Sequence, residues 1–292
     1  MPLKFSCKIM LRPKINVTRS VTFAYQLRKD LTNLNFMKNN LKKIAIVAMV
    51  ALVIAACKKN QESTTEPQET VKNADKVLQY IKDLGFPASS IVDNGNEFIV
   101  EEDISFPKNM EIPANGAGAK TEQYYTGSIV NSTNKLNIRI FVDPSMTSMS
   151  SEINSAIAQW NGVSGSTLRF SIVTTAPYDI LIKDEALTAP PGYVTCGMAQ
   201  FPSGGSAGAL VRINKAGIAG NSFAQRARTI CHEFGHCISF RHTNWSAQGE
   251  STATNVPGVT GTDALSLMNG GQCGSGATVL SQKDKDATAV LY

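Results

Sequence analysis

His232-Glu233-Phe234-Gly235-His236-Cys237-Ile238-Ser239-Phe240-Arg241-His242 holds all 3 histidines of this 292-residue chain. Helix positions four apart share a face, so a helix here sets His232 and His236 one turn apart, with the Glu233 carboxylate close by. His242 rejoins them only if the helix ends near Ser239 and the chain turns back. Three neutral imidazoles leave one tetrahedral zinc position open for water, as catalytic sites do and structural sites do not. Glu233 then stands where a general base is needed. Histidine is so scarce that chance would supply only about 0.001 matches to His-Glu-x-x-His in the chain. Zinc is therefore preferred over three unrelated helix histidines.

The segment before this stretch starts like a helix, because Ser222 followed by Gln225 fits a capping box. Phe223, Ala227, Ile230, Phe234 and Ile238 recur on one face, expected to pack in the core. Further upstream, Leu136, Ile138, Ile140 and Val142 alternate with Asn137, Arg139 and Phe141, which predicts a strand. Met149, Ile153, Ile157 and Trp160 have helical spacing, ended by Asn161-Gly162. Leu168, Phe170 and Ile172, then Ile180 and Ile182, predict two more strands, and Gly208 to Asn214 another. Downstream, Ser281 and Asp284 cap a final helix carrying Ala287, Val290 and Leu291. The whole reads as an α+β chain, a mixed twisted sheet with a zinc helix and a C-terminal helix over residues 126–292. Residues 71–125 form a small α+β unit, either a removable prodomain or a folding aid. In it, Val71, Val77, Leu78, Ile81 and Leu84 predict a helix stopped by Gly85 and Pro87. Asn94-Gly95 predicts a turn, Glu97–Val100 a strand, and residues 115–119 a joint.

The N-terminus indicates a destination. Residues 37–56 read as a signal peptide, with Lys38, Lys42 and Lys43 before an apolar run of 13 residues from Ile44 to Ala56. That run is shorter than the roughly 20 residues a spanning helix needs. Ile54-Ala55-Ala56-Cys57 resembles a bacterial lipobox, which implies lipidation of Cys57 as first mature residue. Residues 1–36 read as an upstream extension from a misplaced start codon, and residues 57–70 as a solvated tether. Residues 1–56 hold 10 of the 28 basic and 1 of the 23 acidic side chains, leaving 18 and 22, a net charge of −4. No nucleic-acid partner is expected of such a chain. The expected setting is that of an exported bacterial lipoprotein on the outer membrane or cell surface, facing periplasm or exterior, attached through its lipid, and monomeric.

The ligand offsets of 0, 4 and 10 resemble the metzincin clan of zinc endopeptidases. Ser266-Leu267-Met268-Asn269-Gly270 is similar to that clan's Met-turn, a methionine turn beneath the metal. More narrowly, His232 to Thr243 resembles the bacterial dual-action HEIGH metallopeptidases, with Phe234 at the place of the signature's Ile. The resemblance implies zinc held by His232, His236 and His242, with Met268 beneath. It further implies hydrolysis of peptide bonds within a peptide or protein substrate, Glu233 acting as base. Calcium support of the loops is left open. Ser239 stands where metzincins usually have Gly. A serine there costs about 1 kcal/mol if φ is positive, or the turn has another shape. An extended substrate would pair with the 208–214 strand if that is the exposed edge above the metal.

Cys196, Cys231, Cys237 and Cys273 remain after Cys57, and an even number in an exported protein suggests two disulfides. Cys237–Cys273 with Cys196–Cys231 is the preferred pairing, since the first would tie the zinc helix to the Met-turn. Buried free thiols are the alternative. The 71–125 unit has no cysteine to offer the metal; Glu101, Glu102 and Asp103 are its acidic candidates, although exposed acids are the commoner case. Gly204-Gly205-Ser206-Ala207-Gly208 matches the serine-hydrolase G-x-S-x-G pattern, but a triad would need one of the three histidines. A surface-binding lipoprotein with a structural zinc is the competing function. Glu233 argues against it, because a structural site needs no carboxylate beside an open position.

Overall fold

A computed structural model describes residues 66–112, 124–189, 194–250, 253–259 and 261–292. Residues Thr65–Tyr292 form one compact unit. The expected signal peptide, Cys57 and the expected 115–119 joint lie outside the described residues. No described helix is long and apolar enough to cross a membrane.

The first helix, α1 (Glu66–Asp83), starts inside the expected tether and ends before Gly85, whose φ is +97°. Three strands follow: β1 (Ile91–Asp93), β2 (Glu97–Val100) and β3 (Ile104–Pro107). Next come β4 (Tyr124–Tyr125), β5 (Ile138–Val142), α2 (Ser150–Asn161), β6 (Phe170–Val173) and β7 (Ile180–Asp184). The chain continues through β8 (Gly197–Gln200), β9 (Leu210–Ile213), α3 (Lys215–Ile218) and α4 (Phe223–Cys237). It closes with β10 (Thr254–Asn255), paired with β4, and α5 (Gln282–Leu291).

The main sheet has the order β1-β2-β3-β8-β9-β7-β5-β6. Strands β9, β7, β5 and β6 are mutually parallel, and β8 runs against β9. Strand β9 is thus an interior strand and not the exposed edge anticipated for 208–214. The border of the catalytic sheet is β8, whose four residues include a glycine and show no long apolar alternation. That border is itself covered, because β3 pairs with β8 in parallel through Ile104–Ala199 and Ser105–Gln200. The N-terminal unit therefore adds three strands to the catalytic sheet.

Two apolar clusters result. The larger joins Ile140, Trp160, Ile182, Val211, Ile230, Phe234 and Met268 between the sheet and helices α2 and α4. The smaller gathers Val77 and Ile81 of α1 with Phe98, Val100, Ile104 and Phe106, and borrows Phe201 from the loop after β8. Phe106 meets Phe86 and Phe201 edge to face, the geometry ring quadrupoles favour. Ile230, Phe234 and Ile238 are buried as expected, but Phe223 is 48% exposed at the helix start. In the Gly204–Gly208 stretch, Ser203 and Ser206 exchange backbone hydrogen bonds across a tight turn, which accounts for its glycines without a nucleophile.

The structure also corrects the cysteines. Cys196 is bonded to Cys273, with Cα atoms 5.9 Å apart, and Cys231 and Cys237 are buried free thiols. The Cys231 thiol faces the Ala156 carbonyl of α2, and that of Cys237 faces the Gln200 backbone. Burial pushes both thiols well above their usual range.

Candidate metal centre and active site

Helix α4 starts at Ser222, whose hydroxyl accepts from the Gln225 N–H at 3.3 Å. The reciprocal half of the box is absent, because Gln225 Nε2 donates instead to the Gly276 carbonyl. At the other end, Ser239 takes φ +88°. It is the left-handed exit residue, and its hydroxyl bonds Thr126 Oγ1 at 2.7 Å and accepts from the Thr126 N–H at 3.2 Å. The Phe240 N–H then returns to the Gly235 carbonyl. This reversal brings His242 back beside His232 and His236.

Each imidazole is aimed by its outer nitrogen. Nδ1 of His232 donates to the Leu267 carbonyl at 3.0 Å, and that of His236 to the Phe240 carbonyl at 2.7 Å. Nδ1 of His242 donates to Glu250 Oε1 at 2.7 Å. These partners fix the tautomer assigned to each ring and turn every Nε2 inward. His232 Nε2 lies 3.1 Å from Nε2 of both His236 and His242. A tetrahedron with zinc–nitrogen bonds of about 2.05 Å has edges of roughly 3.3 Å, so the spacing fits. Inward lone pairs this close repel unless a positive charge lies among them, which also fits a cation. Burial pushes His232 down to about 3, keeping it neutral.

The fourth corner is Asp103, from the turn between β2 and β3. Its Oδ2 is 2.9 Å from His242 Nε2 and 3.8 Å from Nε2 of each other histidine. Asp103, His232, His236 and His242 could together hold one metal ion. Burial works against the Asp103 charge, but the positive charge of His242 and the close approach of the three imidazoles hold it well below the usual carboxylate range. For His242, burial is outweighed by the Asp103 and Glu250 carboxylates, which push it well up.

Met268 is fully buried against the zinc helix at Gly235, next in sequence to the ligand His236. A Cβ at Gly235 would strike its sulfur and lie 2.9 Å from its Cε, so a larger residue there would have to displace the methionine. Thr243 N–H donates to the Met268 carbonyl, and Asp284 of the α5 capping box accepts from Ser266 Oγ and Leu267 N–H. Glu233 is 2% exposed and lies against β8: a Cβ at Gly197 would come within 2.7 Å of its Cδ. Burial, reinforced by the Asp103 charge, raises the Glu233 carboxyl well above its usual value, and Oε2 has no hydrogen-bond partner.

Sequence reasoning reached the three histidines, Glu233 and Met268, and named Asp103 only among three acids. It missed Glu250 and Gly197. Glu250 is eight residues beyond His242 on an irregular loop, where spacing carries no geometric signal.

Three imidazoles around one point, a glutamate beside them and a buried methionine below define a zinc metallopeptidase. The chain belongs to the family described as dual-action HEIGH metallo-peptidases, which matches residues 99–282, more than half its length. Similar solved structures include high choriolytic enzyme 1, a hatching-enzyme zinc protease from Oryzias latipes (medaka fish). It is 17% identical, over 56% of this chain and 93% of that one, with a TM-score of 0.38. Myroilysin is 16% identical, over 63% and 94%, with a TM-score of 0.39. No curated protein matches the chain.

Proposed function

We propose that this is an exported, lipid-anchored zinc endopeptidase, held latent by its own β2–β3 turn until that turn is withdrawn. The observation that carries the reading is the Asp103 carboxylate at the fourth corner of the histidine site. A closed set of four ligands resembles structural zinc, and opening it leaves the three-ligand arrangement of a catalytic one. The turn is strained for this purpose: Glu101 and Glu102 have φ +53° and +69°. Each left-handed glutamate costs on the order of 1 kcal/mol, and strain of this kind gathers where function needs it. The family match begins at Ile99, so the turn lies within the matched region.

In the opened site His232, His236 and His242 would hold the zinc. When bound, zinc supplies Lewis acidity and lowers the pKa of a coordinated water. Glu233 Oε2, buried and without a partner, would accept the proton of the attacking water and return it to the leaving amine. Gly197 would leave Glu233 room to do so. The carbonyls of Leu267 and Phe240 and the Glu250 carboxylate would hold the imidazoles in register. Strand β8, once uncovered, is the edge to which an extended substrate would pair.

The test is casein cleavage by the lipoprotein before and after limited proteolysis, with zinc content measured throughout. Low activity that rises on cutting, rises without cutting in Asp103→Ala, and vanishes in Glu233→Gln is expected. Full activity of an uncut chain whose N-terminus is Cys57 would exclude latency and leave the N-terminal unit a folding aid. Incorporation of labelled palmitate, lost in Cys57→Ser, tests the anchor.

A further inference from the structure

The β2–β3 hairpin meets the catalytic body through more than Asp103. Arg241 immediately precedes the ligand His242, and its side chain is 1% exposed. Its Nη2 donates to Glu101 Oε1 at 2.6 Å, and its guanidinium lies 4.0 Å from the centre of the Phe86 ring. Glu101 and Phe86 both belong to the N-terminal unit and would leave with it. Arg241 lies between Phe240, whose N–H donates to the Gly235 carbonyl, and Thr243, whose N–H donates to the Met268 carbonyl, so the cation sits on a fixed stretch of the catalytic body. Carboxylate oxygens of Glu101 and Glu250 and a ring nitrogen of His242 lie within 4.8 Å of one another. Arg241 is therefore at the rim of the metal site. Guanidinium keeps its proton in any protein environment, and a buried cation that loses its counter-charge is costly.

We propose that Arg241 selects substrate: in the opened enzyme it binds an acidic side chain a few residues from the scissile bond, where Glu101 now stands. The substrate class is peptides carrying glutamate or aspartate beside the cut. This rests on the latent-enzyme reading. Glu101 acts as a substrate mimic in side chain, as Asp103 does at the metal, and its two-methylene reach favours glutamate. Arginine suits the task because its planar fork matches a carboxylate, which a lysine cannot reproduce. Among the described residues Glu250 is a rival for the guanidinium, since its Oε2 is buried without a hydrogen-bond partner. Were Glu250 to swing onto Arg241, the opened enzyme would be indifferent to acidic side chains.

The experiment uses the full chain activated by limited proteolysis and paired quenched peptides that differ only by Glu or Gln at each position flanking the cut. One position is expected at which Glu raises kcat/KM about tenfold or more, the effect expected for a hydrogen bond to a charged group, chiefly through KM. Arg241→Gln should bring that ratio close to one, and Arg241→Glu should turn it in favour of Gln. Binding of the same peptides to zinc-loaded, uncleaving Glu233→Gln enzyme should show the same ratio in Kd. Equal use of every pair by the unmodified enzyme would overturn the proposal, and those pairs decide even if the Arg241 variants fail to fold. A preference that persists in Arg241→Gln would also overturn it. Failure to cleave casein despite bound zinc would instead overturn the latent-enzyme reading, and this proposal with it.

Discussion

Ser239 shows how one residue sets the position of a metal ligand. It leaves helix α4 in the left-handed region usually filled by glycine, and its buried hydroxyl is tied to Thr126. Backbone strain of about 1 kcal/mol is set against a buried hydrogen bond of similar worth. Ser239→Gly should therefore change stability by less than about 1 kcal/mol, since it loses both. Ser239→Ala keeps the strain and loses the bond, so it should cost about 1–2 kcal/mol. Urea midpoints of the two variants check this, and a glycine variant less stable than the alanine would show that strain is not the deciding effect. The sequence posed this question correctly, as glycine-like conformation or another turn. Only the φ of +88° answered it.

At the scale of elements, the C-terminal helix fastens the floor of the metal site. Asp284 caps α5 through Ser281 and also accepts from Ser266 Oγ at 2.6 Å and Leu267 N–H at 2.8 Å. The Leu267 carbonyl is in turn the acceptor for His232 Nδ1, so helix cap, methionine turn and ligand form one chain of contacts. Asp284→Ala removes a cap and leaves buried donors unpaired, for an expected loss of about 2–4 kcal/mol. It should also weaken zinc affinity about tenfold, read by competition with a chelating dye. Loss of stability with unaltered zinc affinity would mean that α5 supports the fold and not the site. The cap was legible because Ser281 and Asp284 are three apart. Its second duty was not, because Ser266 lies 18 residues away and nothing in spacing links them.

At the scale of the molecule, the Cys196–Cys273 bond joins the entry to β8 with the segment after Met268, across a sequence separation of 77. Closing a loop of that length in the unfolded chain is worth up to roughly 4.5 kcal/mol, of which about 2–4 is commonly realised. Replacing both cysteines by serine should lower unfolding stability by that amount, and peptide mass mapping of the parent should recover the two segments linked. Recovery of Cys237–Cys273 instead would overturn the pairing. Sequence counting proposed two disulfides, whereas the described residues hold one, Cys231 and Cys237 being free thiols engaged with backbone of other elements. The hairpin belongs to the same scale: Glu97 pairs bidentately with Arg212, Glu101 with Arg241, and Asp103 caps the histidines. Three acids of one hairpin thus meet three sites on the body that carry or can accept positive charge.

What the sequence alone determined was local. Helical spacing placed His232 and His236 together, caps marked the starts of α4 and α5, and alternation located β5, β6 and β7, because side-chain direction follows backbone periodicity. The rare histidines and the turn around Met268 carried the family and its chemistry. Tertiary structure decided what depends on distant segments meeting: β8 as the sheet border, β3 lying on it, Asp103 at the fourth corner, Glu250 behind His242, and Cys273 opposite Cys196. Such contacts are chosen by shared burial and charge between distant pieces of chain, as in Glu101 and Arg241, 140 residues apart. No periodic pattern within either piece records its partner.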